Sequence, residues 1–195
     1  MQADEAKLIF ERAGAVRHGH FELSSGRHSP TYVQCALVLQ YPDLAERLGH
    51  ALAEKFHDVP IDCVVSPALG GILVGHEVAR GLGVRAIFVE RDSSGRMALR
   101  RGFALQPAEK VLVVEDVWTT GGSTRETMSI VEQAGGRVVA AGALIDRSGG
   151  RLDLPVSARA LIELDIPSYE QFDCPLCRAG EAITKPGSHF IRSEA

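Results

Sequence analysis

The chain has 195 residues, a net charge of −4 and 45% apolar residues, enough for one domain with a sizeable core. This balance gives no support to a nucleic-acid-binding surface, and no apolar run approaches the length of a membrane span. The start, Met1-Gln2-Ala3-Asp4-Glu5, lacks the basic and apolar regions of a signal peptide, and four cysteines do not make a disulfide scaffold, so a cytoplasmic protein is expected.

In chain order, residues 4–13 read as a short helix stopped by Gly14. Residues 19–34 read as two short strands around a donor-rich Ser/Gly turn. Pro42 suits the first position of a helix whose Leu44, Leu48, Leu52 and Phe56 form a core stripe. Cys63-Val64-Val65-Ser66 is a buried strand, followed by Pro67-Ala68-Leu69-Gly70-Gly71 and a helix to about Leu82. Ala86-Ile87-Phe88-Val89 is the next strand.

Residues 90–110 are polar and basic, with Arg91, Arg96, Arg100, Arg101 and Lys110. Met97 and Leu99 before Arg101-Gly102, with Phe103 and Leu105 after it, predict a mobile β-hairpin turning at that dipeptide. Such a segment looks too polar to pack on its own core.

The centre of the chain is Val111-Leu112-Val113-Val114-Glu115-Asp116-Val117-Trp118-Thr119-Thr120-Gly121-Gly122-Ser123-Thr124. An apolar run reads as a buried strand, ended by two carboxylates and followed by a small-residue loop. Thr124, Met128, Val131 and Ala134 then mark one helix face, closed by Gly135-Gly136. Glycines that admit a ligand to the backbone, the hydroxyls of Thr119, Thr120, Ser123 and Thr124, and a helix start together make a phosphate cradle. It is neither a Walker loop nor Gly-x-Gly-x-x-Gly, which disfavours a nucleotide kinase. Two acids beside a phosphate site must face something else, such as sugar hydroxyls or a developing positive charge. A ribose 5-phosphate meets both requirements.

Residues 138–145 predict a strand delivering Asp146-Arg147, and residues 161–164 the last strand. Strand–helix alternation predicts an α/β fold with a mainly parallel sheet flanked by helices. Cys174-Pro175-Leu176-Cys177 has metal-ligand spacing, but structural zinc takes four ligands and His189 is the one later candidate. A local thiol pair is therefore expected, with no metal site, although two chains could share one. Residues 186–195 are polar and predict a frayed end.

The fourteen-residue stretch resembles the signature of the type I phosphoribosyltransferases. Phe21-Glu22-Leu23-Ser24-Ser25-Gly26-Arg27-His28-Ser29-Pro30-Thr31-Tyr32 is similar to the base-covering segment of the orotate-specific members. The resemblance spans roughly residues 21–147 and implies the type I fold in one domain, with an N-terminal segment of about 1–40, a core of about 41–165 and a tail of 166–195. It implies transfer of phosphoribosyl from 5-phosphoribosyl 1-diphosphate to orotate, with Mg2+ carried by the diphosphate. Glu115 and Asp116 would hold the ribose hydroxyls, and Val117 to Ser123 the 5-phosphate, including Trp118, Thr119, Thr120, Gly121 and Gly122. Ala68, Leu69, Gly70 and Arg91 would meet the diphosphate, and Ser25, Gly26, Thr119 and Arg147 the orotate. Arg147 suits a bidentate carboxylate contact. The basic hairpin corresponds to a flexible hood, with Arg100 and Arg101 catalytic, shared across a homodimer. Family lysines are replaced by Ser24, Gly70 and Asp92; the chain's own lysines are Lys7, Lys55, Lys110 and Lys185, so arginine charge must serve instead. A phosphoribosyltransferase for another base and a non-catalytic regulator are the competing readings; the regulator would want a DNA-binding extension, which is absent from the pattern.

Overall fold

The computed structural model describes residues 1–23 and 25–186. Its elements are α1 (Ala3–Arg12), β1 (Val16–Glu22), β2 (His28–Val33), α2 (Ala36–Leu39), α3 (Pro42–Glu54), β3 (Cys63–Pro67), α4 (Gly70–Leu82), β4 (Arg85–Arg91), β5 (Met97–Leu99), β6 (Lys110–Trp118), α5 (Gly122–Gln133), β7 (Arg137–Asp146), β8 (Ser157–Glu163) and α6 (Pro175–Arg178). Ser24 and His189, both named in the sequence reading, and nearly all of the expected frayed end lie outside the described residues.

Two compact units divide the chain, one of residues 1–15 and 35–165, the other of residues 16–34 and 166 onward. This partition differs from the three consecutive segments expected. Helix α1 packs with β8 in the larger unit, so the first fifteen residues belong with the core. The C-terminal segment pairs with the hairpin, because backbone groups of its strands need partners.

The larger unit holds a six-stranded sheet in the order β5-β4-β3-β6-β7-β8. All neighbours are parallel except β4 and β5. Alternation along the strands sends successive side chains to opposite faces. Cys63, Val65, Ile87, Val113, Ala141 and Ala143 pack with Met128 and Val131 of α5. On the opposite face α4 lies so close to β3 that a Cβ on Gly75 would stand 1.9 Å from the Ser66 hydroxyl. A Cβ on Gly142 would likewise meet Phe56 at 3.0 Å. Buried on both faces, β3 and β6 are near-continuous apolar runs, as parallel strands between helix layers must be.

The basic segment departs from expectation. A hairpin is present, but its turn lies at residues 92–96, where β4 meets β5 in antiparallel register. Asp92 drives that turn: its Oδ1 accepts from the Ser94 amide at 2.8 Å, the Ser94 hydroxyl at 2.6 Å and the Arg96 amide at 3.0 Å. Arg101 and Gly102 make a second turn, with φ of 60° and 75° and a bond from the Phe103 amide to the Arg100 carbonyl. No strand follows it. Phe103 packs edge-on against Phe88 at 5.2 Å, and Leu105 enters the core with Met97. The segment is therefore packed on its own core. Burying Met97 and Leu105 stabilises more than an isolated two-stranded ribbon in water could.

In the smaller unit β1 and β2 are antiparallel, with an irregularity between His18 and Phe21. The C-terminal segment joins them by main-chain bonds: His28 and Tyr169 exchange both, at 2.8 Å each, while Glu22 donates to Thr184 and Thr184 to His20. Arg27 reinforces this, donating to the Ser168 hydroxyl and carbonyl.

Candidate active site

Strand β6 carries Glu115 and Asp116 shortly before its end at Trp118, with side chains on opposite sides of the pleat. Glu115 accepts a short hydrogen bond from the Thr124 hydroxyl, which itself accepts from the Trp118 indole at 2.9 Å. Thr124 is fully buried and Trp118 nearly so. Thr124 is thus no phosphate donor, contrary to the sequence reading. The Trp118 ring belongs to the core, leaving only its main chain near a ligand. Burial pushes the Glu115 carboxyl up to about 7 from its ordinary 4.5; Asp116 adds to that and the Thr124 bond opposes it. Desolvation also raises Asp116, against a bond from the Val117 amide at 3.0 Å.

The loop after β6 is shaped by Gly121, which has φ 73° and ψ 15°. A Cβ there would stand 2.7 Å from Leu152 and 3.2 Å from the Arg125 guanidinium. Both objections, left-handed backbone and lack of space, require glycine. Arg125 braces the loop by donating to the Thr120 carbonyl at 2.7 Å and the Asp153 carbonyl at 3.0 Å. No side chain caps α5, so its first amides keep their donors for a ligand. Thr120 and Gly122 are exposed, while Thr119 and Ser123 are half-buried.

The β3–α4 loop comes alongside. Its Ala68–Leu69 peptide is cis, Leu69 is exposed, and α4 also starts without a side-chain cap. A Cβ on Gly70 would stand 2.6 Å from the Asp116 carboxylate. Gly70 is therefore what lets this backbone reach the acidic pair. Arg147 follows β7: its amide donates to the Trp118 carbonyl at 2.9 Å, and its side chain is buried. Next to it, the Ser148 amide donates to Asp146 at 2.7 Å.

The strand order explains why these residues meet. From β3 the chain proceeds to β4 on one side, and from β6 to β7 on the other. The sheet therefore reverses its winding between β3 and β6, where an open α/β sheet forms its ligand crevice beyond the carboxyl ends. Glu115, Asp116, Ala68 to Gly70 and the residues up to Ser123 flank that point. Such a crevice offers two uncapped helix starts for anions and two carboxylates for hydroxyl donors.

The hairpin arginines are satisfied within their own unit. Arg91 makes a two-pronged pair with Glu126, at 3.2 and 2.9 Å. Arg101 pairs with Glu90 at 2.9 Å, Arg100 faces it at 3.7 Å, and Arg96 faces Asp92 at 3.7 Å. Sequence reasoning missed Glu126 and Arg125, which act through loops that only the packed helix brings near. Ser25 and Gly26 are exposed turn residues of the smaller unit.

Residues 37–169 match the phosphoribosyl transferase domain family. The orotate phosphoribosyltransferase of Pelotomaculum thermopropionicum is 53% identical over 98% of this chain and 100% of its own. That of Thermotoga maritima is 46% identical over 95% of this chain and 99% of its own. Among solved structures, the orotate phosphoribosyltransferase of Aeropyrum pernix superposes with a TM-score of 0.67 at 28% identity, covering 82% of this chain and 93% of that one. A sheet that reverses at an acidic pair, two loops that lead into uncapped helix starts and these likenesses have one conclusion: the chain belongs to the phosphoribosyltransferase family, in its orotate phosphoribosyltransferase group.

Proposed function

We propose that this chain transfers the 5-phosphoribosyl group from 5-phosphoribosyl 1-diphosphate to orotate, giving orotidine 5-monophosphate and diphosphate. The carrying observation is the Glu115–Asp116 pair, set between two uncapped helix starts at the sheet's reversal point. The bond from the anomeric carbon to diphosphate breaks, one from that carbon to an orotate ring nitrogen forms, and that nitrogen gives up its proton to the departing diphosphate or to water. Positive charge develops on the ribose as the leaving group departs. Glu115 and Asp116 accept hydrogen bonds from the two ribose hydroxyls and stabilise that charge. Thr119 to Ser123 hold the 5-phosphate with amides and hydroxyls, and the Ala68–Gly70 backbone holds the diphosphate. Arg147 and Thr119 orient orotate. Much of the rate comes from holding the two substrates in line.

Magnesium fits this reading, because the β3–α4 loop, Pro67-Ala68-Leu69-Gly70-Gly71, offers a diphosphate backbone donors and an uncapped helix start but no cationic side chain. Bound with the diphosphate, it would offset charge on the leaving group, while Glu115 and Asp116 stay on the ribose. The protein acts in the cytoplasm as a homodimer, with the hairpin of one subunit serving the other's diphosphate. The pairs Arg100–Glu90 and Arg101–Glu90 lie at the surface, where screening by solvent leaves an ion pair little net stabilisation, so these arginines exchange partners at little cost.

The test is to incubate the protein with 5-phosphoribosyl 1-diphosphate, magnesium and orotate, uracil, adenine or hypoxanthine in turn. Loss of orotate absorbance with release of diphosphate is expected, and turnover of another base instead would overturn the assignment. Sharing of the hairpin is tested by mixing Asp116→Asn chains with Arg100→Ala/Arg101→Ala chains. Hybrids carry one intact site, so activity should return as they form; none returning, with exchange confirmed by mass, assigns the hairpin to its own subunit.

A further inference from the structure

The smaller unit places together four side chains that the proposed reaction does not use. His20 and His28 come from β1 and β2, and Cys174 and Cys177 flank the start of α6. One nitrogen or sulfur atom from each lies within 4.8 Å of all the others. His20 Nε2 is 3.0 Å from His28 Nδ1 and 3.6 Å from each of the two sulfurs. His28 Nδ1 is 3.2 Å from Cys177 Sγ. Three of the four residues are buried and Cys177 is half-buried, which leaves a way in from that side.

These separations are the edges of a small tetrahedron. Zinc–nitrogen bonds near 2.0–2.1 Å and zinc–sulfur bonds near 2.3 Å set tetrahedral edges of about 3.3 Å between nitrogens and about 3.6 Å between nitrogen and sulfur. These four separations thus lie within a few tenths of an ångström of the corresponding edges of a zinc coordination shell. The ring orientation agrees. His20 Nδ1 lies 2.9 Å from the Glu181 carbonyl, which can only accept, so Nδ1 carries the proton. In the neutral ring Nε2 then presents its lone pair to the cluster. A metal-bound histidine is commonly oriented this way, by a carbonyl on its far nitrogen.

Local structure sets up the ligands. The register change in β1 puts His20 on the same face as Glu22, which is opposite His28. The short turn of α6 brings Cys174 and Cys177 to one side, with the Arg178 amide donating to the Cys174 carbonyl at 3.2 Å.

We propose that His20, His28, Cys174 and Cys177 bind one structural zinc ion. Two thiols release their protons on binding, so zinc with two thiolates and two neutral imidazoles carries no net charge, which suits a buried position. Two sulfurs and two imidazoles in a tetrahedron select zinc among common divalent ions. The site joins residues far apart in sequence, 154 positions between His20 and Cys174. It also serves a unit short of apolar core: among its described residues the buried ones are Phe21, Leu23, Val33 and Cys174 beside His20, His28 and Ser29. Scaffolds below about 70–80 residues commonly add a metal, disulfides or a partner, because so small a core stabilises little.

The decisive measurement is metal content of the full chain purified without chelator, by plasma mass spectrometry, beside Cys177→Ser, Cys174→Ser and, as a control, Cys63→Ser. Roughly one zinc per chain is expected in the parent and the control, and below about a tenth of that in the two other variants. Because those variants could misfold, the parent is also stripped and titrated with cobalt(II). Intense visible bands of tetrahedral cobalt with a sulfur charge-transfer band are expected, displaced by zinc. The proposal is overturned if the parent holds no metal and gives no such spectrum. A disulfide between Cys174 and Cys177, or zinc retained in both variants, overturns it equally.

Discussion

The two loops at the sheet's reversal point each lead into an uncapped helix start, by different means. After β6, the chain supplies carboxylates, hydroxyls and an uncapped helix start; after β3, it supplies little besides backbone. Gly121 is glycine because of its own left-handed conformation and the side chains around it, whereas Gly70 is glycine because Asp116 stands against it. The first loop is self-contained. The second depends on its neighbour, and its anionic ligand needs cations from elsewhere, which is the task assigned here to the hairpin arginines and magnesium.

The largest expected effect is on the acidic side. Asp116→Asn should lower kcat about 10²–10³-fold while orotate affinity changes little, since a charge facing the developing cation is lost and the shape is kept. Steady-state kinetics beside a circular-dichroism melt checks this, and parental turnover would remove Asp116 from the ribose.

Next is Gly121→Val, where a β-branched side chain must take φ near 73° against Leu152. Strain of about 1–3 kcal/mol should appear as roughly 10–100-fold weaker binding of 5-phosphoribosyl 1-diphosphate by calorimetry, together with a lower melting temperature.

Gly70→Ala sharpens the contrast. The atoms nearest its Cβ are those of the Asp116 carboxylate, the end of a side chain, so the fold should survive while binding of the diphosphate end weakens on the order of 10-fold. Equal losses of stability in the two glycine variants would erase the distinction between the loops.

The smallest effect concerns pH. Folded Glu115 keeps its proton up to about pH 7, whereas an unfolded chain loses it near 4.5. The folded state binds the extra proton in that window, so this group's contribution to stability falls as pH rises through it. Glu115→Gln has nothing to ionise. Its advantage over the parent should therefore be small at pH 5 and grow to the order of 1–2 kcal/mol by pH 8. Denaturant melts at the two pH values measure it, and a gap that shrinks with rising pH would contradict the buried-carboxyl account.

By itself the sequence determined the strand–acid pair–loop–helix unit from Val111 to Gly135, because each signal in it is local: a buried apolar run, a glycine with a conformation of its own, a helix stripe. It also determined the parallel, helix-covered sheet, since alternating elements of those lengths have few other solutions. Tertiary structure alone decided the rest. Asp92-Ser93-Ser94-Gly95 and Arg101-Gly102 both carry turn chemistry, and what chose the first as the hairpin was the burial of Leu105 and Phe103 beyond the second. Thr124 reads as an exposed donor until Trp118 and Glu115 close over it. Cys174 and Cys177 point to a half-site; their partners lie nearly the whole chain away, and the pairing of the C-terminal segment with β1 and β2 brings them together. Local propensity carries no information about which distant surfaces meet, and burial decides that only once the chain has packed.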